Sequence, residues 1–535
     1  HQGLRVPLVF LCEDNGWGIS VRTPKGWVGK SMKNRSGIRY IPADGLDVAK
    51  GWRTIRAAVD WCRRERAPVF IHLHTERLMG HAGTDFEVDY RDEADLSAAE
   101  ARDPILRSAA RVLEAGLLDA DGVIALYESV RVRCFDAADR ADETPKLEGR
   151  AAIMAPLAPH DAKGVHDEAT RPAPAEARLE AFGGKPEKLP ENQPARHLAI
   201  NINRAITDLL VKYPGGLVFG EDVARKGGVY TVTKGLVSRF GNRRVFNTLL
   251  DEQTILGLAQ GYGCLGMLPI PEIQYLAYLH NAADQLRGEA CSLQFFSDGR
   301  FRNPMVVRIA GLGYQKGFGG HFHNDNSIAA VRDIPGLVVG CPSRGDDAAM
   351  MLRTLAARAQ VDGGVSIFLE PIALYMTKDL HDDGDGGWCF AYPEPERSLP
   401  LGEPRVYEPF ASDLLIITYG NGVPMSLRAA RAIEAATGAK TRVMDLRWLV
   451  PLNEDEIVAH ASQCDAVLVV DEGRRSGGVG EGVMTALVER LPRLRRLTRV
   501  VGADSYTPLG DAAGAVLPNE AEIVSASIEI LGKGP

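Results

Sequence analysis

The chain has 535 residues, 45% of them hydrophobic and 25% charged, an ordinary globular composition whose length predicts about three domains. A net charge of −8 and a pI near 5.9 argue against the clustered basic face of a nucleic-acid binder. Eight cysteines without a C-x-x-C pair give neither a cysteine zinc site nor a disulfide framework and predict a reducing, cytoplasmic setting, and no apolar run reaches the ~20 residues of a membrane span.

Residues 6–12 run apolar and break into Asp14-Asn15-Gly16, the pattern of a buried strand feeding a loop. A helical stretch at 49–65 leads to another buried strand at 68–75, an alternation that predicts a parallel sheet with crossover helices. The basic groups Arg63-Arg64-Glu65-Arg66 and Arg493-Leu494-Arg495-Arg496 read as solvated helix ends. Residues 142–194 are rich in Pro, Ala, Glu and Lys and poor in large apolar side chains, which predicts a linker. A second α/β section, 195–385, opens with a helix at 197–213 and a strand at 216–219 and closes in a Gly/Asp-rich stretch at 382–387. A third, 405–535, carries strands at 414–418, 441–445 and 466–471 and a helix at 424–437. The expected fold class is therefore α/β, with parallel-sheet sections in series.

Two strings near the N-terminus carry chemistry. Asp14-Asn15-Gly16 lies where open α/β sheets place ligands, and an Asn oxygen with a neighbouring backbone carbonyl suits a magnesium ion holding a diphosphate. Arg77 and His81 follow the 68–75 strand four residues apart, a planar fork for phosphate oxygens and a proton donor near neutral pH.

The run Leu11-Cys12-Glu13-Asp14-Asn15-Gly16-Trp17-Gly18-Ile19-Ser20 resembles the closing half of a thiamine diphosphate-binding motif. With Arg77, Gly80, His81, Tyr90-Arg91 and Asp103-Pro104-Ile105, it resembles the latter part of the α subunit of the decarboxylating component of 2-oxo acid dehydrogenase complexes. The motif's opening Gly-Asp-Gly does not fit before Asn15, so the expectation is an α-like section lacking its front. The resemblance implies that Asn15, Trp17, Ile19 and Arg77 bind the cofactor, that Asn15 and Trp17 ligate Mg2+, and that His81 acts in catalysis.

From His197 onward the chain resembles the family's whole β subunit, on Gly220-Glu221-Asp222-Val223, Lys226-Gly227-Gly228-Val229-Tyr230 and Asp251-Glu252-Gln253. Glu252 then falls where a catalytic glutamate bonds the cofactor's aminopyrimidine, Tyr278 where an aromatic stacks on that ring, and Gln274 on the pocket wall. His323 takes the place of the substrate histidine, twelve residues before Pro335-Gly336-Leu337, although Asn324-Asp325 stand where the family more often has Ser-Gln. Asp445 to Leu452 and Asp471-Glu472-Gly473 resemble the carboxyl-terminal domain shared with transketolases. Gly477-Gly478-Val479-Gly480-Glu481-Gly482 lacks the dinucleotide fingerprint.

The implied fold is thus a thiamine diphosphate-binding one with a transketolase-like C-terminal domain, and the implied activity is oxidative decarboxylation of a 2-oxo acid. The implied cofactors are thiamine diphosphate and Mg2+, and the implied assembly is a homodimer serving a lipoyl-bearing dihydrolipoamide acyltransferase. Two alternatives stay open at this stage: two-carbon transfer like that of transketolase or deoxyxylulose-phosphate synthase, and a non-catalytic scaffold.

Overall fold

The computed structural model describes residues 5–157, 160–315, 317–491 and 496–532. The chain divides into two compact units, residues 1–146 and 147–535.

In the first unit, strands β1 (Val9–Asp14), β2 (Arg39–Asp44) and β3 (Val69–His74) form a parallel sheet in the order β1-β3-β2. Helix α1 (Val48–Glu65) is the crossover between β2 and β3. It starts where the Asp47 side chain accepts the Lys50 N–H and stops at Arg66 in the left-handed region, φ 51°. The register places Ile41, Ala43, Val69, Ile71 and Leu73 on one sheet face, where they pack against Ile55, Ala58, Trp61 and Cys62 of α1. The opposite face carries Tyr40, Phe70, Asp14, His72 and His74, because side chains alternate along a strand. Arg63 and Arg64 are exposed in the last turn of α1. Of the second basic group, Arg493, Leu494 and Arg495 lie outside the described residues, and Arg496 opens a strand instead of closing a helix. Helices α2 (Glu93–Glu100), α3 (Pro104–Glu114) and α4 (Ala120–Asp142) complete the unit.

The second unit begins with a departure from the composition-based reading. Within 142–194 the chain forms helices α5 (Ala162–Thr170) and α6 (Ala175–Ala181), both packed down. Val165 and Ala169 of α5 bury themselves against Ala357, Glu168 accepts a 2.6 Å hydrogen bond from the Tyr213 hydroxyl, and Arg178 of α6 pairs with Glu191 and Asp208 at 2.7 Å each. Short helices can dock through two small apolar residues and a few ion pairs, so a stretch of low hydrophobicity can still pack onto its neighbours.

After helix α7 (Leu198–Lys212) come β4 (Gly216–Gly220), β5 (Val245–Asn247), α8 (Glu252–Cys264), β6 (Leu268–Ile273), β7 (Met305–Gly311), β8 (Val338–Gly340), α9 (Gly345–Asp362) and β9 (Val365–Pro371). The third section supplies β10 (Arg405–Tyr407), β11 (Leu414–Thr418), α10 (Gly422–Thr437), β12 (Thr441–Asp445), β13 (Trp448–Val450), β14 (Ala466–Arg474), α11 (Val479–Arg490), β15 (Arg496–Gly502) and α12 (Glu520–Leu531). The larger sheet runs β13-β8-β9-β7-β6-β4-β5, parallel except for β13, which crosses over from the third section and pairs antiparallel with β8. The other sheet runs β10-β12-β11-β14-β15. Every residue of β4, β6, β7 and β9 is buried, as expected of parallel strands covered on both faces, and their carboxyl ends open where loops bring polar side chains together. Among the described residues no helix is long and apolar enough to cross a membrane.

Candidate active site

In the first unit the loop after β1 folds on its own side chains. Asp14 Oδ1 accepts the Gly16 N–H and Asn15 Oδ1 accepts the Trp17 N–H, both at 2.9 Å, so Asn15 caps its own turn. The indole of Trp17 lies under three guanidinium groups, Arg22 at 4.2 Å, Arg91 at 5.2 Å and Arg77 at 5.3 Å, with Tyr90 edge-on at 5.8 Å. Arg77 donates to the Ile19 carbonyl at 2.5 Å, the Tyr90 hydroxyl at 2.7 Å and Glu87 at 3.1 Å. Ile19 reaches this bond through a left-handed backbone, φ 58°. Tyr90 in turn donates to Asp85 at 2.8 Å, and Asp85 accepts the His81 N–H at 2.6 Å. Those two hydrogen bonds, the His81 N–H first, hold the Asp85 carboxyl below the usual range. Gly80 is obligatory in that turn, since a Cβ would sit 2.3 Å from the Asp85 carbonyl oxygen. Asn15, Trp17, Ile19, Arg77 and His81 therefore belong to one hydrogen-bonded and stacked network, with the His81 side chain exposed.

In the second unit Glu252 is the first residue of α8 and is 5% exposed, with Asn281 Nδ2 donating to its carboxylate at 3.3 Å. Glu221, at the end of β4, is also buried, and its Oε1 has no partner. Burial, then the charges of Glu252, Asp222 and Glu272, push the Glu221 carboxyl up to about 7. Gly220 adopts φ 151°, and a Cβ there would lie 2.5 Å from the Glu272 carbonyl oxygen, so this close approach of β4 to β6 requires glycine.

Tyr278 follows the end of β6. Its phenol is raised by burial and by Tyr275, Glu221 and Glu252, which places it in electrostatic reach of both carboxylates. Gln274 is half-buried just beyond β6. Tyr275 joins the pieces: its ring meets Tyr278 edge-on at 5.8 Å and His323 edge-on at 4.7 Å. His323 Nδ1 lies 3.3 Å from the Gly319 carbonyl. His321 packs on Phe322 and Tyr506 with ring centroids at 4.0 and 5.0 Å.

Beneath this surface Arg308 spans three strands. It donates to Glu272 at 2.6 Å and to both oxygens of Glu370 at 2.7 and 2.9 Å, and Tyr375 donates to Glu370 at 2.6 Å. Sequence reasoning missed Asn281 and the bridge of Arg308 to Glu272 and Glu370. Their partners lie 29 to 62 residues away, and no local pattern announces such pairings.

Comparison with known proteins adds the family. The description "Dehydrogenase E1 component" matches residues 2–149, "Transketolase, pyrimidine binding domain" residues 192–377, and "Transketolase, C-terminal domain" residues 404–523. The pyruvate dehydrogenase E1 component subunit beta of Staphylococcus aureus is 33% identical over 338 residues, covering 62% of this chain and 97% of that protein. Its Bacillus subtilis counterpart is 33% identical over 322 residues, covering 59% and 92%. The chain belongs to the thiamine diphosphate-dependent 2-oxo acid dehydrogenases. This 2-oxo acid dehydrogenase carries α-like and β-like parts in one polypeptide. A solved structure described as a split-gene transketolase in an inactive beta4 tetramer superposes with a TM-score of 0.50 at 20% identity, over 64% of this chain and all of that one, a likeness of fold alone.

The residues present suit the dehydrogenase's cofactor. The partnerless buried oxygen of Glu221 and the long single bond to Glu252 leave acceptor capacity for an amino-heterocycle. In the first unit Arg77 Nε is likewise buried without a partner, a spare donor for a phosphate oxygen.

Proposed function

We propose that this dehydrogenase decarboxylates a 2-oxo acid oxidatively and passes the acyl group to a lipoyl group on a dihydrolipoamide acyltransferase. It would work in the cytoplasm as a homodimer; no disulfide joins the eight cysteines, which supports a reducing setting. Thiamine diphosphate, when bound, supplies the carbanion chemistry that amino-acid side chains lack. Glu252 bonds the aminopyrimidine and holds the proton exchanged with it, and Tyr278 stacks on the ring while Gln274 walls it. His323 presents Nε2 to the substrate's carboxylate or carbonyl oxygen, and His81 serves the lipoyl end. Arg77 and the Asn15 turn would hold the diphosphate, with Asn15 and Trp17 the residues to take Mg2+.

The observation that carries this reading is the buried Glu252 carboxyl group at the head of α8, held by Asn281 and within electrostatic influence of Tyr278 and Glu221, while Tyr275 packs on both Tyr278 and His323. The test is a panel of 2-oxo acids with thiamine diphosphate, Mg2+ and an artificial electron acceptor. Carbon dioxide release coupled to reduction of the acceptor is expected. Two-carbon transfer between sugars, with no 2-oxo acid consumed, would overturn it.

A further inference from the structure

The face of the first unit's sheet opposite α1 ends in a group of side chains that have no part in the cofactor roles proposed above. The register sets Cys12 opposite His72 and Asp14 opposite His74, so Asp14, His72 and His74 project from the same face at the carboxyl ends of adjacent parallel strands. Asp14 Oδ2 is 2.7 Å from His72 Nε2, and the rings of His72 and His74 are 4.2 Å apart. One donor atom from each of the three residues lies within 4.8 Å of the others. We infer that Asp14, His72 and His74 form a binding site for a divalent transition cation of the Zn2+ type.

The donor set decides the class of ion. Two imidazoles and one carboxylate suit zinc and its first-row neighbours, whereas Mg2+ and Ca2+ take oxygen ligands. Three protein ligands leave a fourth tetrahedral position to water, and His74 provides the opening, since it is exposed while His72 is 3% exposed.

The supporting shell is also in place. Tyr40 Oη contacts His72 Nδ1 at 2.7 Å, the outer hydrogen bond that fixes ring orientation in metal-bound histidines. In the metal-free state the Asp14 carboxylate accepts the Nε2–H of His72, and Tyr40 donates to Nδ1. With a cation on Nε2, the neutral ring carries its proton on Nδ1 and donates to Tyr40, whose hydroxyl rotates. Bonds of ~2.1 Å put tetrahedral donors about 3.4 Å apart, so the ion needs Asp14 and His72, now 2.7 Å apart, to part by about 0.7 Å, and the more widely spaced donors, within 4.8 Å of one another, to close by up to about 1.4 Å. Occupancy would tie β1 to β3 through their side chains.

The test is titration of the full chain with Co2+ in the presence of excess Mg2+, read by visible d–d absorption. A saturable band at one cobalt per chain, bleached by Zn2+, is expected. His74→Ala, a change at an exposed position, should weaken Co2+ binding at least tenfold, while His166→Ala, an exposed histidine of the second unit, should leave it unchanged. Zn2+ should raise the thermal midpoint of the parent chain but not of His74→Ala. No saturable band, or a band of parental affinity in His74→Ala, overturns the site.

Discussion

Glu252 and Glu472 are both buried carboxyl groups, yet their surroundings assign them different work. Glu252 has one long hydrogen bond, from Asn281, and its charge reaches the Glu221 carboxyl and the Tyr278 phenol. Glu252→Gln keeps the shape and a hydrogen-bonding group but cannot exchange a proton. Decarboxylation should fall about 10²- to 10⁴-fold, with thiamine diphosphate affinity, measured by equilibrium binding, little changed. Parental turnover in this variant would remove Glu252 from catalysis. Glu472 is instead satisfied from several sides, accepting both oxygens' bonds from Asn421 at 3.0 Å and the Gly313 N–H at 3.2 Å. Burial is the largest influence on it and carries its carboxyl up to about 8, against the hydrogen bonds that lower it. Because this value lies above the unfolded one of ~4.3, the folded state keeps a proton that the unfolded chain has released between those limits. The stabilisation is complete below the unfolded value and is lost as pH rises through about 8. Glu472→Gln removes that dependence. Its thermal midpoint relative to the parent should climb from about pH 6 to about pH 9, by on the order of 5 °C; a constant offset would show that Glu472 is ionised in the folded protein.

The elements that hold the site differ in how far the sequence announces them. Strands β11 and β12 are short apolar runs between turns and read directly from residues 414–418 and 441–445. Helix α1 was legible from its apolar periodicity. The pairing of β13 with β8 was not, because an antiparallel contact between Trp448 and Gly340 leaves no mark on either neighbourhood. The same holds for the bridge beneath the site: Arg308 alone reads as a charged residue interrupting a strand, until the fold sets Glu272 and Glu370 on either side of it. Of the candidate site, Glu252, Tyr278 and His323 stood out in sequence because each lies in a distinctive string, whereas Tyr275 and Asn281 do their linking through space. Arg308 is 1% exposed and is the cation paired with both Glu272 and Glu370 in the buried layer. Arg308→Met should therefore cost about 3–5 kcal/mol, measured as a lower midpoint in urea. A variant as stable as the parent would mean that Glu272 and Glu370 accept protons at little expense.

At the scale of the whole chain, the polypeptide has two units by compactness but three sections by sequence, and the difference lies in what ties residues 147–535 together. Strand β13, from the third section, completes the sheet of the second. Asp347 on α9 receives Arg405 at 2.6 and 2.8 Å and Arg447 at 2.9 Å, all buried or half-buried. Glu472 on β14 reaches the Gly313 N–H, and Asn326 donates to its carbonyl. Parting the two sections would expose a strand edge and strand several charges without partners, so neither opens at low cost. Helices α5 and α6 belong to the same body through Val165, Ala169 and Arg178. A chain comprising residues 147–535 should consequently fold alone and melt in one cooperative transition, with calorimetric and van't Hoff enthalpies equal. Two resolved transitions, one for each sheet, would show that the β13 pairing and the Asp347 ion pairs do not couple them.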